Sequence, residues 1–108
     1  MQFDLVAHLK RQIGFSKEAY GPARPGALEG VIDHIENELI EVKADPTDLK
    51  EWVDLIILSF DGAWKCGYTA EQICVAIEAK QTINENRTWP DWRTCPANKA
   101  IEHDRSKD

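Results

Sequence analysis

Acidic side chains recur at helical spacing on both sides of a predicted turn. Glu38 and Glu41 precede the turn at Asp45-Pro46, and Glu51 and Asp54 follow it. Residues three apart lie on the same side of a helix, so each pair presents two carboxylates to one side. An antiparallel hairpin with a short turn would bring the two pairs together. Their oxygen atoms could then share a single site.

Carboxylates gathered in this way repel one another unless a cation joins them. Without one, at least one carboxyl group would have a raised pKa. Mg²⁺ or Mn²⁺ resolves the conflict because both ions prefer oxygen ligands. Zinc is disfavoured, since no cluster of Cys and His at ligand spacing accompanies the acids. The alternative is that both pairs simply lie on solvated helix faces, and the spacing leaves the two interpretations open.

A basic seam follows on the last predicted helix. Ile73, Ile77, Lys80, Asn84 and Arg87 recur at steps of four and three residues, so an apolar seam turns polar along its length. Lys80 and Arg87 could hold phosphate oxygens, and Arg87 could bind two at once. Alternatively, the cations favour the dipole at the end of a helix. Carboxylates with a divalent metal, facing a basic seam, would form a phosphoryl-transfer site.

The elements that must position these residues are four amphipathic helices, and no strand is predicted. The first runs from about Phe3 to Gly14, and the Gly-Pro pairs that follow predict a loop over Phe15–Gly26. The second is stopped by Asp45-Pro46, because proline lacks the amide proton that a helix needs. Its apolar stripe is Leu28, Val31, Ile32, Ile35, Leu39 and Val42.

The third and fourth helices have recognisable ends. Thr47 or Asp48 can cap the third helix, and Gly67 can end it. Thr69-x-x-Gln72 is a capping box for a fourth helix that ends at about Arg87, after which the tail is predicted to be irregular. The apolar stripe of the third helix is Leu49, Trp52, Val53, Ile56, Phe60 and Trp64.

Short links between these helices predict an all-α four-helix bundle, with residues 1–108 as one domain. The second and third helices are joined by about four residues, so they should lie antiparallel. The third helix is apolar over an arc that so small a bundle does not cover alone. We therefore expect a homo-oligomer.

Composition excludes several classes of protein. The 108 residues carry a formal charge of −6, which disfavours a protein that coats nucleic acid or rests on anionic lipid. The longest apolar run, Leu55–Leu58, is far shorter than the ~20 residues of a membrane span. No export signal opens the chain. We expect a cytoplasmic protein with no nucleic-acid partner and no membrane partner.

The aromatic residues support more than one interpretation. Three at helical spacing are predicted to be core: Trp52, Phe60 and Trp64. Four are predicted in loops, where one could stack on a base or each could anchor its loop: Phe15, Tyr20, Trp89 and Trp92. His34, four residues before Glu38, could hydrogen-bond to a metal ligand.

The acidic motif resembles that of MazG-like all-α nucleoside triphosphate pyrophosphohydrolases. The similarity extends from Phe15 to His103 and is most specific for the small dATP/dGTP pyrophosphohydrolase subgroup, which is common in phages and prophages. The phrases that carry it are Phe15-Ser16, Gly21-Pro22, His34-Ile35, Glu38-Leu39, Asp45-Pro46, Glu51-Trp52-Val53-Asp54, Asp61-Gly62-Ala63-Trp64, Lys80-Gln81, Asn84-x-x-Arg87-x-Trp89-Pro90-Asp91-Trp92-Arg93 and Ile101-Glu102-His103.

This resemblance implies hydrolysis of purine (deoxy)nucleoside triphosphates to the monophosphate and pyrophosphate, with dATP and dGTP as the expected substrates and GTP as a further candidate. It implies a dimer or tetramer acting in a bacterial cell or a phage-infected host. The residues that it implies as Mg²⁺ or Mn²⁺ ligands and as catalytic residues are Glu38, Glu41, Glu51 and Asp54. Those that we expect to bind substrate are Asp61, Lys80, Asn84, Arg87 and Trp89.

Two departures from the wider family leave the number of metals open. Asn37 stands where relatives often have a second Glu, and only nine residues separate Glu41 from Glu51. Two alternatives have less support. A di-iron carboxylate bundle would need Glu-x-x-His on two helices, which the sequence lacks. A non-catalytic helical interaction module would explain the wide apolar arc but not the converging acids.

Overall fold

The computed structural model describes residues 2–108, most of which lie in four α-helices. These are α1 (Leu5–Tyr20), α2 (Ala27–Ala44), α3 (Leu49–Lys65) and α4 (Ala70–Asn86). Beyond α4 the backbone is irregular apart from two single 3-10 turns, Trp92–Thr94 and Arg105–Lys107. Residues 2–108 contain no strand. The predictions of an all-α chain and an irregular tail are therefore confirmed.

Capping side chains fix the helix ends where the sequence places them. The Asp48 side chain caps α3 by accepting a hydrogen bond from the Lys50 amide at 3.0 Å. Thr69 and Gln72 form the reciprocal capping box of α4, with distances of 2.9 and 3.1 Å. Gly67 follows α3 with φ +101°, a backbone conformation that favours glycine. These local signals make the boundaries predictable.

Helix α1 is longer than the sequence predicts. It continues through Gly14 to Tyr20, so the prediction of a loop over Phe15–Gly26 is wrong for Phe15 to Tyr20. One interior glycine costs only about 1 kcal/mol relative to alanine, which neighbouring contacts can outweigh. The helix ends instead at Gly21, whose φ of +93° takes the chain out of the helical region.

Two compact units make up the chain, one up to Cys74 and the other Val75–Asp108. In the first, Leu9, Trp64, Ala70 and Ile73 form a buried cluster, and half-buried Phe60 packs against it. The core prediction is thus confirmed for Trp64. The single domain over residues 1–108 stays a prediction. Among the described residues, no helix is both long enough and apolar enough to cross a membrane.

Helices α2 and α3 form the predicted antiparallel hairpin. Late in α3, a Cβ added to Gly62 would lie 3.6 Å from Val31 Cγ1, early in α2. At the other end of the hairpin, Glu38 and Glu41 in the second half of α2 lie close to Glu51 in the first turn of α3. Early residues of one helix therefore face late residues of the other.

The buried sides of this hairpin are partly polar. On α2 the buried residues are Val31, Glu38 and Val42. On α3 they are Leu58, Asp61 and Trp64. The predicted apolar stripes are therefore only partly buried: Val31, Val42 and Trp64 are buried, and the acids Glu38 and Asp61 share the inner sides of the helices with them.

The displaced apolar residues lie at the surface. On α3 they form a contiguous stripe at helical spacing, which we name the outer apolar face: Leu49, Trp52, Val53 and Ile56, with exposed fractions of 73%, 47%, 38% and 52%. Trp52 is thus not core. Its indole Nε1 instead donates to the Pro46 carbonyl oxygen at 2.9 Å. Leu28, Ile32 and Leu39 of α2 are exposed as well.

Replacing Gly14 by alanine should stabilise the protein. Gly14 lies inside α1, and a Cβ there would meet no atom within 4 Å. We expect a gain of about 0.5–1 kcal/mol in the free energy of unfolding, since alanine loses less backbone entropy on folding. Urea denaturation measures the change.

Gly67→Ala is the matched control, because its φ of +101° suits only glycine without strain. It should destabilise the protein. A Gly14→Ala variant with unchanged or lower stability would contradict a continuous α1.

Candidate functional site

Three glutamates converge where α2 ends and α3 begins. One carboxylate oxygen each of Glu38, Glu41 and Glu51 lies within 4.8 Å of the others. The three-residue spacing places Glu38 and Glu41 on one side of α2, and the turn before α3 brings Glu51 across. This confirms the predicted convergence for three of the four acids.

Two oxygens of this cluster are buried without a hydrogen-bond partner. Glu38 is 8% exposed, and neither its Oε1 nor Glu51 Oε2 accepts a hydrogen bond from any described residue. An unpaired polar atom in a buried position is costly, and a charged one more so. These oxygens therefore need a proton or a cation.

Mutual repulsion raises the affinity of this cluster for protons. Glu51 raises the pKa of Glu41, because the close carboxyl groups can share a proton and their charges repel. Glu38 does the same to the pKa of Glu51, and burial adds to it. A divalent cation relieves the same repulsion.

Asp54, the fourth predicted ligand, lies one helical turn beyond Glu51 on α3. Its oxygens are not among those that lie within 4.8 Å of one another. It is exposed, and it lines a cavity together with Glu38. The structure thus places Asp54 next to the cluster rather than in it.

The cavity beside Asp54 has a volume of about 580 Å³. Aromatic rings line one side of it: Phe15 and Tyr20 pack edge to face at 6.2 Å, and Tyr20 and His34 at 6.4 Å. Arg11 of α1 adds a cation. The cavity therefore offers acidic, aromatic and basic groups, as a nucleotide site requires.

A second cavity of about 390 Å³ adjoins the N-terminus of α2. Arg24 and Lys65 contribute its cations. Four residues line both cavities: Tyr20, His34, Leu58 and Asp61. The two spaces are therefore neighbours that meet at these side chains.

Asp61 is buried between α1 and α3. Its Oδ1 accepts hydrogen bonds from Gln12 Nε2 at 2.9 Å, Ser16 Oγ at 2.7 Å and Trp64 Nε1 at 2.9 Å. Gln12 Nε2 also donates to the Ile57 carbonyl oxygen at 2.7 Å. This network ties α1 to α3 beside the cavity.

The sequence interpretation missed the contribution of α1. Arg11, Gln12 and Ser16 all line the 580 Å³ cavity, yet none was predicted as a site residue. The only signal was the spacing of Gln12 and Ser16, which lie four apart beside the apolar stripe of the first helix. Because Ser16 was predicted to lie in the loop that starts at Phe15, its helical spacing from Gln12 was not considered.

The predicted basic residues lie in the second unit. Arg87 Nη1 donates to Asn84 Oδ1 at 3.2 Å, and Trp89 Nε1 donates to the Asn84 carbonyl oxygen at 2.7 Å. Lys80 is exposed one turn before Asn84. Asn84, Arg87 and Trp89 are thus brought together, and their approach to the carboxylates stays a prediction.

A family model described as dATP/dGTP pyrophosphohydrolase matches residues 8–108. The match includes the carboxylate cluster, α1 from His8 onward, Lys80 of α4 and Arg87 just beyond that helix. It confirms the resemblance found in the sequence motifs. No curated protein and no solved structure is significantly similar to the chain.

Replacing Glu41 by glutamine should stabilise the chelator-treated protein, increasingly so as pH rises. Folding raises the pKa of Glu41. In the window just above the ordinary carboxyl pKa of about 4.3, the folded state therefore binds more protons than the unfolded chain, and stability falls as pH increases. Glutamine removes the contribution of Glu41 to that dependence. Melting temperatures from about pH 4 to pH 8 test this.

Glu36→Gln, an exposed acid-to-amide change on α2, controls for the loss of one charge. Parallel pH profiles for wild type and Glu41→Gln would argue against repulsion within the cluster.

Proposed function

Because the chain belongs to the dATP/dGTP pyrophosphohydrolase family, we propose that it hydrolyses dATP and dGTP, with GTP as a further candidate substrate, to the monophosphate and pyrophosphate with a divalent metal. One observation carries the proposal: Glu38, which belongs to the converging carboxylates and has a buried oxygen without a partner, also lines a cavity large enough for a nucleotide. The reaction belongs to the cytoplasm of a bacterial cell or a phage-infected host, where these nucleotides are used.

The donor set fits Mg²⁺ or Mn²⁺. Glu38, Glu41 and Glu51 offer three carboxylate oxygens within 4.8 Å of one another, two of them from side chains with an orphaned buried atom. Hard divalent ions take oxygen ligands of this kind. Asp54, one turn away, is the fourth ligand that we propose. When bound, such an ion neutralises phosphate charge and makes a water molecule more acidic.

The chain's own residues bind the triphosphate and accept a proton. Hydrolysis places the oxygen of a water molecule on one phosphorus of the α–β bridge, breaks the bridging P–O bond and releases one proton. Acceptors for that proton are the carboxylates of Asp54 and the three glutamates. Lys80, Asn84 and Arg87 donate to phosphate oxygens and hold the departing pyrophosphate. Trp89 offers an aromatic face to the substrate.

Replacing Glu38 by glutamine should abolish pyrophosphate release while the helices remain. Its amide cannot supply the same charge to a cation, and we expect activity to fall at least about 100-fold. The assay mixes the protein with dATP or dGTP and Mg²⁺ and quantifies monophosphate and pyrophosphate. Circular dichroism checks the fold, and Mn²⁺ titration checks metal affinity, which should also fall.

Glu36→Gln serves as the matched control on α2 and should retain activity, since Glu36 lies outside both cavities. Full activity of Glu38→Gln would refute the metal assignment. Failure of the wild-type protein to hydrolyse any triphosphate would favour the non-catalytic helical module instead.

We also propose that the chain forms a homo-oligomer, as a dimer or tetramer, through the outer apolar face. Leu49, Trp52, Val53 and Ile56 are exposed together on α3. A contiguous apolar surface of this kind marks an interaction site, and identical subunits can cover it symmetrically. The predicted bundle built from more than one subunit requires such a contact.

Ile56→Asp should dissociate this oligomer, because it places a charge within the outer apolar face. Light scattering coupled to size exclusion measures the mass. Ala7→Asp adds the same charge at an exposed position of α1 and should leave the mass unchanged. A wild-type protein of monomer mass would contradict the proposal.

A further inference from the structure

The two oxygens of Asp61 are used unequally. The residue is 3% exposed, and all three of its hydrogen bonds converge on Oδ1, from Gln12, Ser16 and Trp64. Within residues 2–108, Oδ2 accepts no hydrogen bond. In the same residues, the fully buried side-chain oxygens and nitrogens that lack a hydrogen-bond partner are Glu38 Oε1 and Glu51 Oε2, so Asp61 Oδ2 is not one of them. Oδ2 is therefore not fully sealed from solvent, and Asp61 lines both cavities.

The donors around Asp61 are themselves fixed, so Oδ2 is the group left for a ligand. Gln12 Nε2 donates to both the Ile57 carbonyl and Asp61, and Gln12 Oε1 lies 2.9 Å from His8 Nε2. Its amide is fully occupied by the protein. Gln12 is therefore a positioning residue, and Asp61 presents a single oriented acceptor.

Asp61 lies at the distance from the carboxylate cluster where a base would be. It follows Glu51, the residue of the cluster on α3, by ten residues, a rise of about 15 Å. A triphosphate held at the glutamates can therefore reach Asp61 with its base, since Glu38 and Asp61 line the same cavity. Tyr20 and His34 line both cavities here and supply rings against which a purine can pack.

We propose that Asp61 Oδ2 accepts a hydrogen bond from the exocyclic amino group of the purine base, N6 of adenine or N2 of guanine. This inference rests on the proposed function and adds to it the chemical group that selects the base. Adenine and guanine each carry one amino group, and a single charged acceptor between two adjoining cavities can serve either. A carboxylate accepts more strongly than a neutral oxygen.

Base analogues test this contact without changing the protein. The deoxynucleoside triphosphates of purine, 2-aminopurine and 6-aminopurine (dATP) differ only in the presence and position of the amino group. Wild-type kcat/KM should be about 10- to 100-fold higher for at least one amino-bearing base than for unsubstituted purine, as a hydrogen bond to a charged group predicts. Equal kcat/KM for all three bases would overturn the inference.

Asp61→Asn then separates recognition from structure. Three donors hold the amide oxygen at the Oδ1 position, so the NH2 group takes the Oδ2 position and presents donors to the base. The preference for amino-bearing purines should disappear. A purely structural role would lower kcat/KM equally for all bases and leave the ratio unchanged, which would count against the inference. Glu36→Gln should keep the wild-type ratio.

Measuring the binding of nucleoside monophosphates tests the contact with Asp61 independently of hydrolysis, and hence independently of the proposed function. Calorimetry compares dAMP with the deoxynucleoside monophosphate of unsubstituted purine on the wild-type protein. Tighter binding of dAMP, lost in Asp61→Asn, supports the contact even if no triphosphate is hydrolysed, an outcome that would contradict only the proposed function. Equal binding of the two monophosphates would overturn the contact.

Discussion

Carboxylate oxygens enclosed between helices are the constraint on which the rest of this structure depends. A buried carboxylate must be matched by donors, by a proton or by a cation, because the protein interior solvates charge poorly. The chain meets this requirement in two ways. Asp61 receives three donors on one oxygen. Glu38 and Glu51 each keep an oxygen that no described residue satisfies.

Glu38 and Asp61 occupy buried positions on α2 and α3, and this affects where the apolar residues of these helices lie. A helix has a limited inner face, and each acid on it displaces a residue that would otherwise pack against the neighbour. Leu49 and Ile56 consequently lie at the surface, while Leu9 and Trp64 hold the smaller core of the first unit. The charge of the site and the exposed apolar face are thus two consequences of one arrangement.

Local signals made much of this fold predictable from the sequence. The Asp48 cap, the Thr69 and Gln72 box and the spacing of Glu38, Glu41 and Glu51 depend on residues close in sequence, and the structure agrees with them. The sequence indicated that the apolar arc of the third helix is too wide for a small bundle to cover, but not which of its residues are exposed. Periodicity identifies which residues share a face but not whether that face meets the same chain or another surface.

The α1 extension and the Asp61 network also escaped prediction, for a related reason. Gly14 is a permissive residue whose weak helix propensity is outweighed when later residues find tertiary partners. Ser16 is such a residue, since its hydroxyl donates to Asp61, forty-five positions away in the sequence. No pattern within either segment carries that information.

The carboxylates at the two ends of the site differ in how many hydrogen bonds they accept, so the two ends suit different parts of a ligand. At the glutamate end negative charge is concentrated and left unsatisfied, so that end requires something positive before an anion can approach. At the Asp61 end the charge is already balanced by neutral donors on Oδ1, which leaves a single acceptor and no demand for a cation. A ligand that matches both ends must bring negative groups with a metal at one end and a hydrogen-bond donor about 15 Å away at the other. A polyphosphate joined to an amino-bearing base satisfies both conditions, whereas inorganic pyrophosphate satisfies only the first. The asymmetry of the buried acids is therefore a physical reason for the site to prefer a nucleotide over a bare phosphate chain.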